Sequence, residues 1–381
     1  MGPTRQPYIV QAVVSASQVL TSFETRGEVL RLRDIVERTG LGKGLCFRLL
    51  HTLRHCGLVE KVDETGYRLT AEVKRRRRFR IGYAALDHDS SFQHAVQSSI
   101  EWAARAEDIE LIVLDNRRSA KVALRNADYL IREGVDLIVE FQVDEAVASA
   151  ISARYQEAGI PFIAVHVPHP GATYYGANNY QAGLLAGHYF GRWVKSRWNG
   201  QVDEVILLDA QRAGPLVHGR MAGVLAGLKE TMRETMAQCP VITLDGDGVF
   251  KASLERVRRH LQQARSKYVL VGAVNDSSAL GAARAFQEAG RASTCAIIGQ
   301  NAEPDARAEM REPRTPLIGS VGYFPERYGE GIMRLALDIL ARRPTPPAVF
   351  VRHQMITASN LDHFYPNDAL MMGTAGPRPR A

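Results

Sequence analysis

Apolar positions in the first seventy residues change rhythm twice. Between Val10 and Phe23 they recur at Val10, Val13, Val14, Ala16, Val19, Leu20 and Phe23, the spacing of one helical face. A second helix is predicted in LRLRDIVERTG, with Leu30, Leu32, Ile35 and Val36 inward and Gly40 as its stop. Leu41 and Gly42 then turn the chain into a third helix, KGLCFRLLHTLRHCG, which buries Leu45, Leu49, Leu50 and Leu53 and ends at Gly57. Two short strands follow, LVEKV and GYRLT. Asp63-Glu64-Thr65-Gly66 joins them with a hairpin-turn composition.

From residue 79 the pattern becomes strand, helix, strand. Continuous apolar runs such as RIGYAAL, IELIVLD, VDLIVEF, PFIAVHV, VDEVILLDA, KYVLVGA and PAVFVR alternate with helical stretches such as SFQHAVQSSIEWAARAE and SLERVRRHLQQAR. Apolar strands separated by helices predict parallel sheets covered on both faces. About ten such strands exceed what one doubly wound sheet holds, so two lobes are expected, with ligands at the carboxyl ends of the strands. The small residues of GLLAGHYFG after Asn179 predict close helix–sheet packing rather than a phosphate loop.

Charge divides the chain in the same place. Residues 1–80 hold 16 Lys and Arg against 8 Asp and Glu, a net +8, and the remaining 301 residues carry a net −1. The basic part therefore reads as a small nucleic-acid-binding module on a near-neutral body. Helix, helix, turn, helix, hairpin is the order of a winged helix-turn-helix, whose third helix enters the major groove. On that helix Lys43, Gly44, Phe47, Arg48 and His51 lie opposite the leucine face. Arg48 is placed to read guanine O6 and N7, and Lys43 to meet phosphate. Lys74, Arg75 and Arg76, within the run 74–78, read as a phosphate clamp or a solvated linker.

A hydrophobic fraction of 45% with 23% charged residues suits a soluble globular chain of two or three domains. MGPTRQPYIVQAVVSASQVL lacks a sustained apolar core and a cleavage site, so no secretory leader is expected, and no uninterrupted apolar stretch predicts a membrane span. Cys46, Cys56, Cys239 and Cys295 form no C-x-x-C pair and read as reduced thiols. His166 and His169 have no carboxylate or cysteine at ligand spacing. No metal or cofactor is expected.

VQAVVSASQVLTSF, the frame GLGKGLCFRLLHTLRHCGLVE from Gly40 to Glu60, and GYRLT resemble the DNA-binding domain of IclR-type regulators. The likeness covers residues 10–70. It departs at Gly44 and Leu45, where that family usually carries small hydroxyl residues, so the operator need not match the family's usual one.

The body, residues 79–352, resembles the type I periplasmic-binding-protein fold shared by ribose-type sugar receptors and the effector domains of LacI-type regulators. YYGANNYQAGLLAG, GRMAGVLAGL, VNDSSALGAARAFQEAG, IIGQNAEPDA and LIGSVGYFPERYGEGIMRLAL carry it in order. The resemblance implies crossings between lobes near Asn178, near Tyr323 and after Arg343. It gives a first lobe of about 79–177 and 324–343 and a second of about 178–322 and 344–352. The full division is then 8–72 for the winged helix, 73–78 for a basic linker and 353–381 for a C-terminal segment with a disordered tail. The resemblance also implies a ligand-binding set of Phe92, Asp144, His218, Arg220, Phe250, Asn275, Asn301 and Tyr323. Asn301 and His218 stand where the family often has aspartate and arginine, which points to a neutral, polyhydroxylated ligand.

Together these readings describe a cytoplasmic, effector-responsive transcription regulator. Its partners are double-stranded operator DNA, a small molecule such as a sugar, and a second copy of itself, with no membrane. The rival readings are a solute-binding protein and an α/β enzyme acting on a sugar or nucleoside.

Overall fold

The computed structural model describes residues 9–25, 27–70, 78–142 and 144–368. They divide into two compact units between Arg78 and Phe79.

The first unit contains helices α1 (Gln11–Thr21), α2 (Leu32–Thr39) and α3 (Lys43–His55), and strands β1 (Leu30–Arg31), β2 (Val59–Lys61) and β3 (Gly66–Leu69). Val19, Phe23, Ile35, Cys46, Leu50 and Leu53 form its core. The Asp34 carboxylate accepts the Arg31 N–H at 2.9 Å and fixes the start of α2. Gly40 ends that helix with φ 67°, a left-handed conformation suited to glycine. Asp63 closes the wing turn by accepting the Gly66 N–H at 2.6 Å.

Three details differ from the sequence reading. Val10, Val13 and Val14 are 64%, 66% and 39% exposed, because only the second half of α1 reaches so small a core. On α3 it is Cys46, not Leu45, that is buried with Leu50 and Leu53, since four- and seven-residue steps keep those three on one face. Leu30 enters a strand, β1, which pairs antiparallel with β3 and is too short to show alternation in the sequence.

The second unit holds two six-stranded sheets among the described residues. The first is ordered β14-β8-β7-β6-β4-β5, from β4 (Arg80–Ala85), β5 (Glu110–Asp115), β6 (Leu137–Glu140), β7 (Phe162–Val165), β8 (Thr173–Gly176) and β14 (Ala348–Phe350). The second is ordered β10-β9-β11-β12-β13-β15, from β9 (Glu204–Asp209), β10 (Val241–Asp245), β11 (Val269–Ala273), β12 (Cys295–Asn301), β13 (Leu317–Gly322) and β15 (Gln354–Ile356). All neighbours run parallel except β13 and β15. Helices cover both faces, which is why the strands read as unbroken apolar runs.

The chain passes between the sheets near Asn178, near Tyr323 and within residues 351–353. The last passage lies later than expected. Ala348–Phe350 pairs with β8, Val349 opposite Tyr175, so it completes the first sheet rather than joining the second lobe. PAVFVR extends the parallel edge of the first lobe, and the chain changes sheets just before Gln354. Thr173–Gly176, between β7 and β14, and the edge strand Gln354–Ile356 are strands that the apolar pattern did not mark.

The small residues after Asn179 face another helix rather than the sheet. Helix Asn179–Arg197 packs on helix Gly214–Thr231 with the backbones in contact. A Cβ on Gly183 would stand 1.9 Å from the Arg220 carbonyl oxygen, and one on Gly223 2.2 Å from that of Tyr180.

Part of the C-terminal segment is folded onto the second lobe. Leu361 is buried, and Asp368 pairs with Arg307 at 2.5 Å. The tail of that segment, residues 369–381, lies outside the described residues. The four cysteines are free. No helix among the described residues is long and apolar enough to cross a membrane.

Candidate functional sites

On α3 the buried residues occupy one face, and Lys43, Gly44, Phe47, Arg48 and His51 are all exposed on the other. Phe47 keeps 53% of its surface accessible, unusual for a ring on so small a module. No side chain caps the helix start at Gly42, so its first amides stand beside Lys43. That combination of free N–H groups and a cation suits a phosphate. Lys74, Arg75 and Arg76 lie outside the described residues.

The second unit has a cavity of about 140 Å³ where the carboxyl ends of the two sheets face each other. The first lobe supplies rings. Phe92 stands near the start of helix Ser91–Ala106, Phe141 just after β6 and His166 just after β7. Phe92 meets His166 edge-on at 5.4 Å, and Phe141 stacks on it at the same separation. His166 adopts φ 63°, a costly conformation for a residue with a Cβ, which directs its ring into this cluster. Its Nε2 lies 2.9 Å from the Tyr328 hydroxyl, while Nδ1 has no partner among the described residues. Burial pushes this imidazole well below the usual histidine range, with the charge of Arg220 adding to the effect, so the ring is neutral. His169 turns away and bonds the Val167 carbonyl through Nδ1 at 3.0 Å.

The second lobe supplies polar groups from the ends of its strands and the helices that follow. Arg220 is buried. Its Nε donates to Asn179 Oδ1 at 2.6 Å, its Nη1 donates to the Val274 carbonyl at 2.7 Å, and its guanidinium lies 5.2 Å from the Tyr323 ring. Asn275 caps helix Asp276–Glu288 by accepting the Ser278 N–H at 2.9 Å, and donates to the Gly248 carbonyl at 2.8 Å. Asn301 holds φ 109° and Ala302 φ 55°, two successive strained residues at the cavity edge. Behind them Asp276 is fully buried. It accepts from Ser320 Oγ at 2.6 Å and from the Glu303 N–H at 2.6 Å. Burial, followed by the charge of Glu303, pushes its carboxyl well above the usual range.

Of the eight positions implied for the ligand, Phe92, Arg220, Asn275 and Asn301 line the cavity. The other four do not. Asp144 caps helix Glu145–Glu157 by accepting the Ala146 N–H at 3.0 Å, and Phe141 takes the cavity position beside it. His218 is partly exposed, 3.8 Å from Asp209. Phe250 opens helix Phe250–Leu261 and is 43% exposed. Tyr323 lies beneath Arg220, where it donates its hydroxyl to Gln300 Oε1 at 2.5 Å, and burial pushes its phenol up to about 12. Sequence reasoning passed over Gln93, Arg118, Phe141, His166, Arg212 and Glu303 as cavity residues. Most stand within a few residues of a strand's carboxyl end, a position that flags ligand contacts in open parallel sheets.

The sequence of the body matches the family described as the periplasmic binding protein domain over residues 81–344. The chain belongs to the periplasmic binding protein family. Residues 12–63 match the IclR helix-turn-helix domain, so two families meet in one chain. No curated protein matches it. A periplasmic solute binding protein from Actinobacillus succinogenes 130z, solved with D-allose, has a TM-score of 0.65 at 17% identity, covering 75% of this chain and 100% of its own. A protein from Mycobacterium smegmatis in complex with β-D-fucofuranose has a TM-score of 0.67 at 21% identity, covering 77% and 96%. A solute binding protein from Bacillus halodurans C-125 with myo-inositol has a TM-score of 0.65 at 20% identity, covering 75% and 97%. At these identities the likeness establishes the fold. In this periplasmic binding protein domain both lobes contribute to the cavity wall, so a molecule seated there touches both.

Proposed function

We propose that this protein is a cytoplasmic transcription regulator that binds operator DNA through α3 and a small polar molecule, a sugar or related polyol, in the interlobe cavity. The observation that carries the reading is the union, in one chain, of an IclR helix-turn-helix with an exposed basic recognition face and a two-lobed body with a cavity at its strand ends. Solved neighbours of the body hold D-allose, β-D-fucofuranose and myo-inositol, which supports the sugar class. A ligand that touches both lobes binds the closed arrangement better and shifts the population by that difference in affinity. The role is binding and regulation rather than turnover. A solute-binding receptor would leave the helix-turn-helix without a task. The working form is a homodimer, because one winged helix reads few base pairs and two-fold half-sites multiply its selectivity.

The test begins with DNA fragments enriched by the protein from a random pool. On the enriched site Arg48→Ala should cost about 1–3 kcal/mol and relax the preference at one base pair. Replacing residues 74–78 by glutamine should weaken all DNA alike and flatten the salt dependence. A titration of that site with and without a sugar panel then reads the response. Unchanged operator affinity in the Arg48 variant would remove the recognition-helix assignment. Light scattering that gives a monomer with and without the site would remove the dimer.

A further inference from the structure

Arg220 is a buried cation on the cavity wall without an anion. It keeps 7% of its surface, and its bonded partners, the Asn179 amide oxygen and the Val274 carbonyl, are neutral, as is the Tyr323 ring beside it. Among the described residues no carboxylate pairs with it, and its Nη2 has no hydrogen-bond partner. A guanidinium does not give up its proton, and a charge taken out of water is costly until it is paired. Two more arginines line the same cavity, Arg118 from the first lobe and Arg212 from the second. Each gives one nitrogen to an aspartate. Arg118 Nη1 lies 3.2 Å from Asp87, and Arg212 Nε lies 2.8 Å from Asp247. Their other N–H groups are unused among the described residues. The remaining carboxylate of the wall, Glu303, is engaged elsewhere. Asn301 Nδ2 donates to its Oε1 at 2.8 Å, and Ser91 Oγ, from the first lobe, donates to its Oε2 at 3.3 Å, a bond that joins the lobes. Burial, first among several causes, holds its carboxyl above the usual range, which weakens it as a counter-charge. The unmet charge at this cavity is positive.

Resting on the sugar-sensor reading above, we infer that the ligand is a sugar acid, whose carboxylate the cavity arginines receive and whose hydroxyls meet the rest of the wall. A carboxylate has about four acceptor positions, and guanidinium N–H groups meet it two at a time. Arg220 is set in place before any ligand arrives, since two of its nitrogens are tethered to Asn179 and Val274. Arg118 and Arg212 stand on opposite lobes, so an anion that engages both favours the closed arrangement. The hydroxyls have acceptors of their own. These are the open positions on Glu303 and the Oε1 of the buried Gln93, which has no partner among the described residues. The balance of charge also chooses between anions. Asp87 and Asp247 answer two of the three arginines, and one carboxylate answers the third. A phosphate monoester brings about −1.5 to −2 near neutral pH and would overshoot, beside the carboxyl of Glu303. The neutral ligand expected from His218 and Asn301 gives way, because His218 does not line the cavity and three arginines do.

The experiment uses the full chain and matched sets that differ only at C6: D-glucose, D-glucuronate and D-glucose 6-phosphate, then D-galactose, D-galacturonate and D-galactose 6-phosphate. D-lactate is added as a carboxylate without a sugar. Thermal shift ranks them, and calorimetry measures those that bind. In at least one set the acid should bind about tenfold or more tightly than both its neutral twin and its phosphate. Arg118→Gln and Arg212→Gln, both on partly exposed side chains, should each weaken the acid by about tenfold and bring it towards the neutral twin. Arg220→Gln should erase the preference. Its ligand-free melting curve reports whether it folds, and the other two variants carry the test if it does not. A neutral twin that binds as tightly as its acid, or a preference unchanged in the variants that fold, overturns the inference and leaves the sugar sensor in place. A phosphate that binds more tightly than its acid overturns the choice of carboxylate. If D-lactate binds and no sugar or sugar acid does, the sugar-sensor reading falls and the sugar acid with it, and the arginines remain an anion site. If nothing binds, both readings fall.

Discussion

The first lobe faces the cavity with Phe92, Phe141 and His166, and the second with Arg212, Asn275, Asn301 and Glu303. The first wall carries rings held by ring contacts, beside the polar Gln93 and Arg118, whereas the second presents no ring and its polar groups are held by hydrogen bonds to backbone ends. A sugar ring has the same two sides, a C–H face and a rim of hydroxyls, and an aromatic wall opposite a polar one matches both. The lobes also treat buried charge differently. Glu140 in the first lobe is sealed behind its sheet, where Tyr155 donates to it at 2.6 Å and Asn116 at 2.9 Å. Asp276 in the second lobe is equally buried but touches the backbone of Glu303, and through it the cavity. Burial alone therefore does not mark a functional acid. What marks it is the neighbour that carries its effect to the surface of the site.

Four substitutions sharpen this contrast. Phe92→Ala should be the most damaging, at about 3 kcal/mol of stability from the lost ring and the space it leaves, read by urea unfolding. It should also abolish ligand binding. A stable, ligand-competent variant would show that the aromatic wall is not structural.

Glu140→Gln should act through pH. Burial raises the Glu140 carboxyl from 4.5 to about 7. The folded state then holds a proton that the unfolded chain gives up, so the stability this group supplies is present below about pH 4.5 and is lost as pH rises through about 7. The variant should gain on the parent across that window, by at most about 3 kcal/mol at pH 8, with ligand affinity unchanged. A loss of ligand binding would mean that the sealed acid communicates with the cavity after all.

Asn275→Ala should cost about 1 kcal/mol of stability, because its side chain caps a helix, and should also weaken ligand binding. Chemical denaturation and calorimetry separate the two effects. Smallest is Ser91→Ala, which removes one partly exposed hydrogen bond and should lower the stability of the ligand-free protein by about 0.5–1 kcal/mol. A much larger loss would make the lobe contact a structural joint rather than a switch.

The sequence made the α/β alternation legible because both-sided burial writes itself as unbroken apolar runs. It made α3 legible because a one-sided leucine face leaves the opposite positions to be read directly. Short strands such as Thr173–Gly176 escaped, since four residues carry neither an apolar run nor a period. Two of the four implied ligand positions that missed the cavity did so for a local reason. Asp144 and Phe250 stand only a few residues from the wall, and one turn of backbone diverts the first to a helix cap and the second to solvent. Glu303 was passed over because its neighbour Asn301 looked like the end of the polar position. In the fold the amide of Asn301 donates to Glu303, and the negative charge stands two residues further along.

The interleaving of β14 and β15 bears on how the protein is made. Each lobe is completed only by residues beyond 347, with only 351–353 between the strand that closes one sheet and the strand that closes the other. No contiguous stretch of the message encodes a whole lobe. A ribosome that has released residues 79–340 has delivered most of both sheets, yet each still lacks an edge strand. Unpaired sheet edges are where nascent chains stick to one another. The vulnerable interval in this protein's synthesis therefore ends only when the last crossing has emerged.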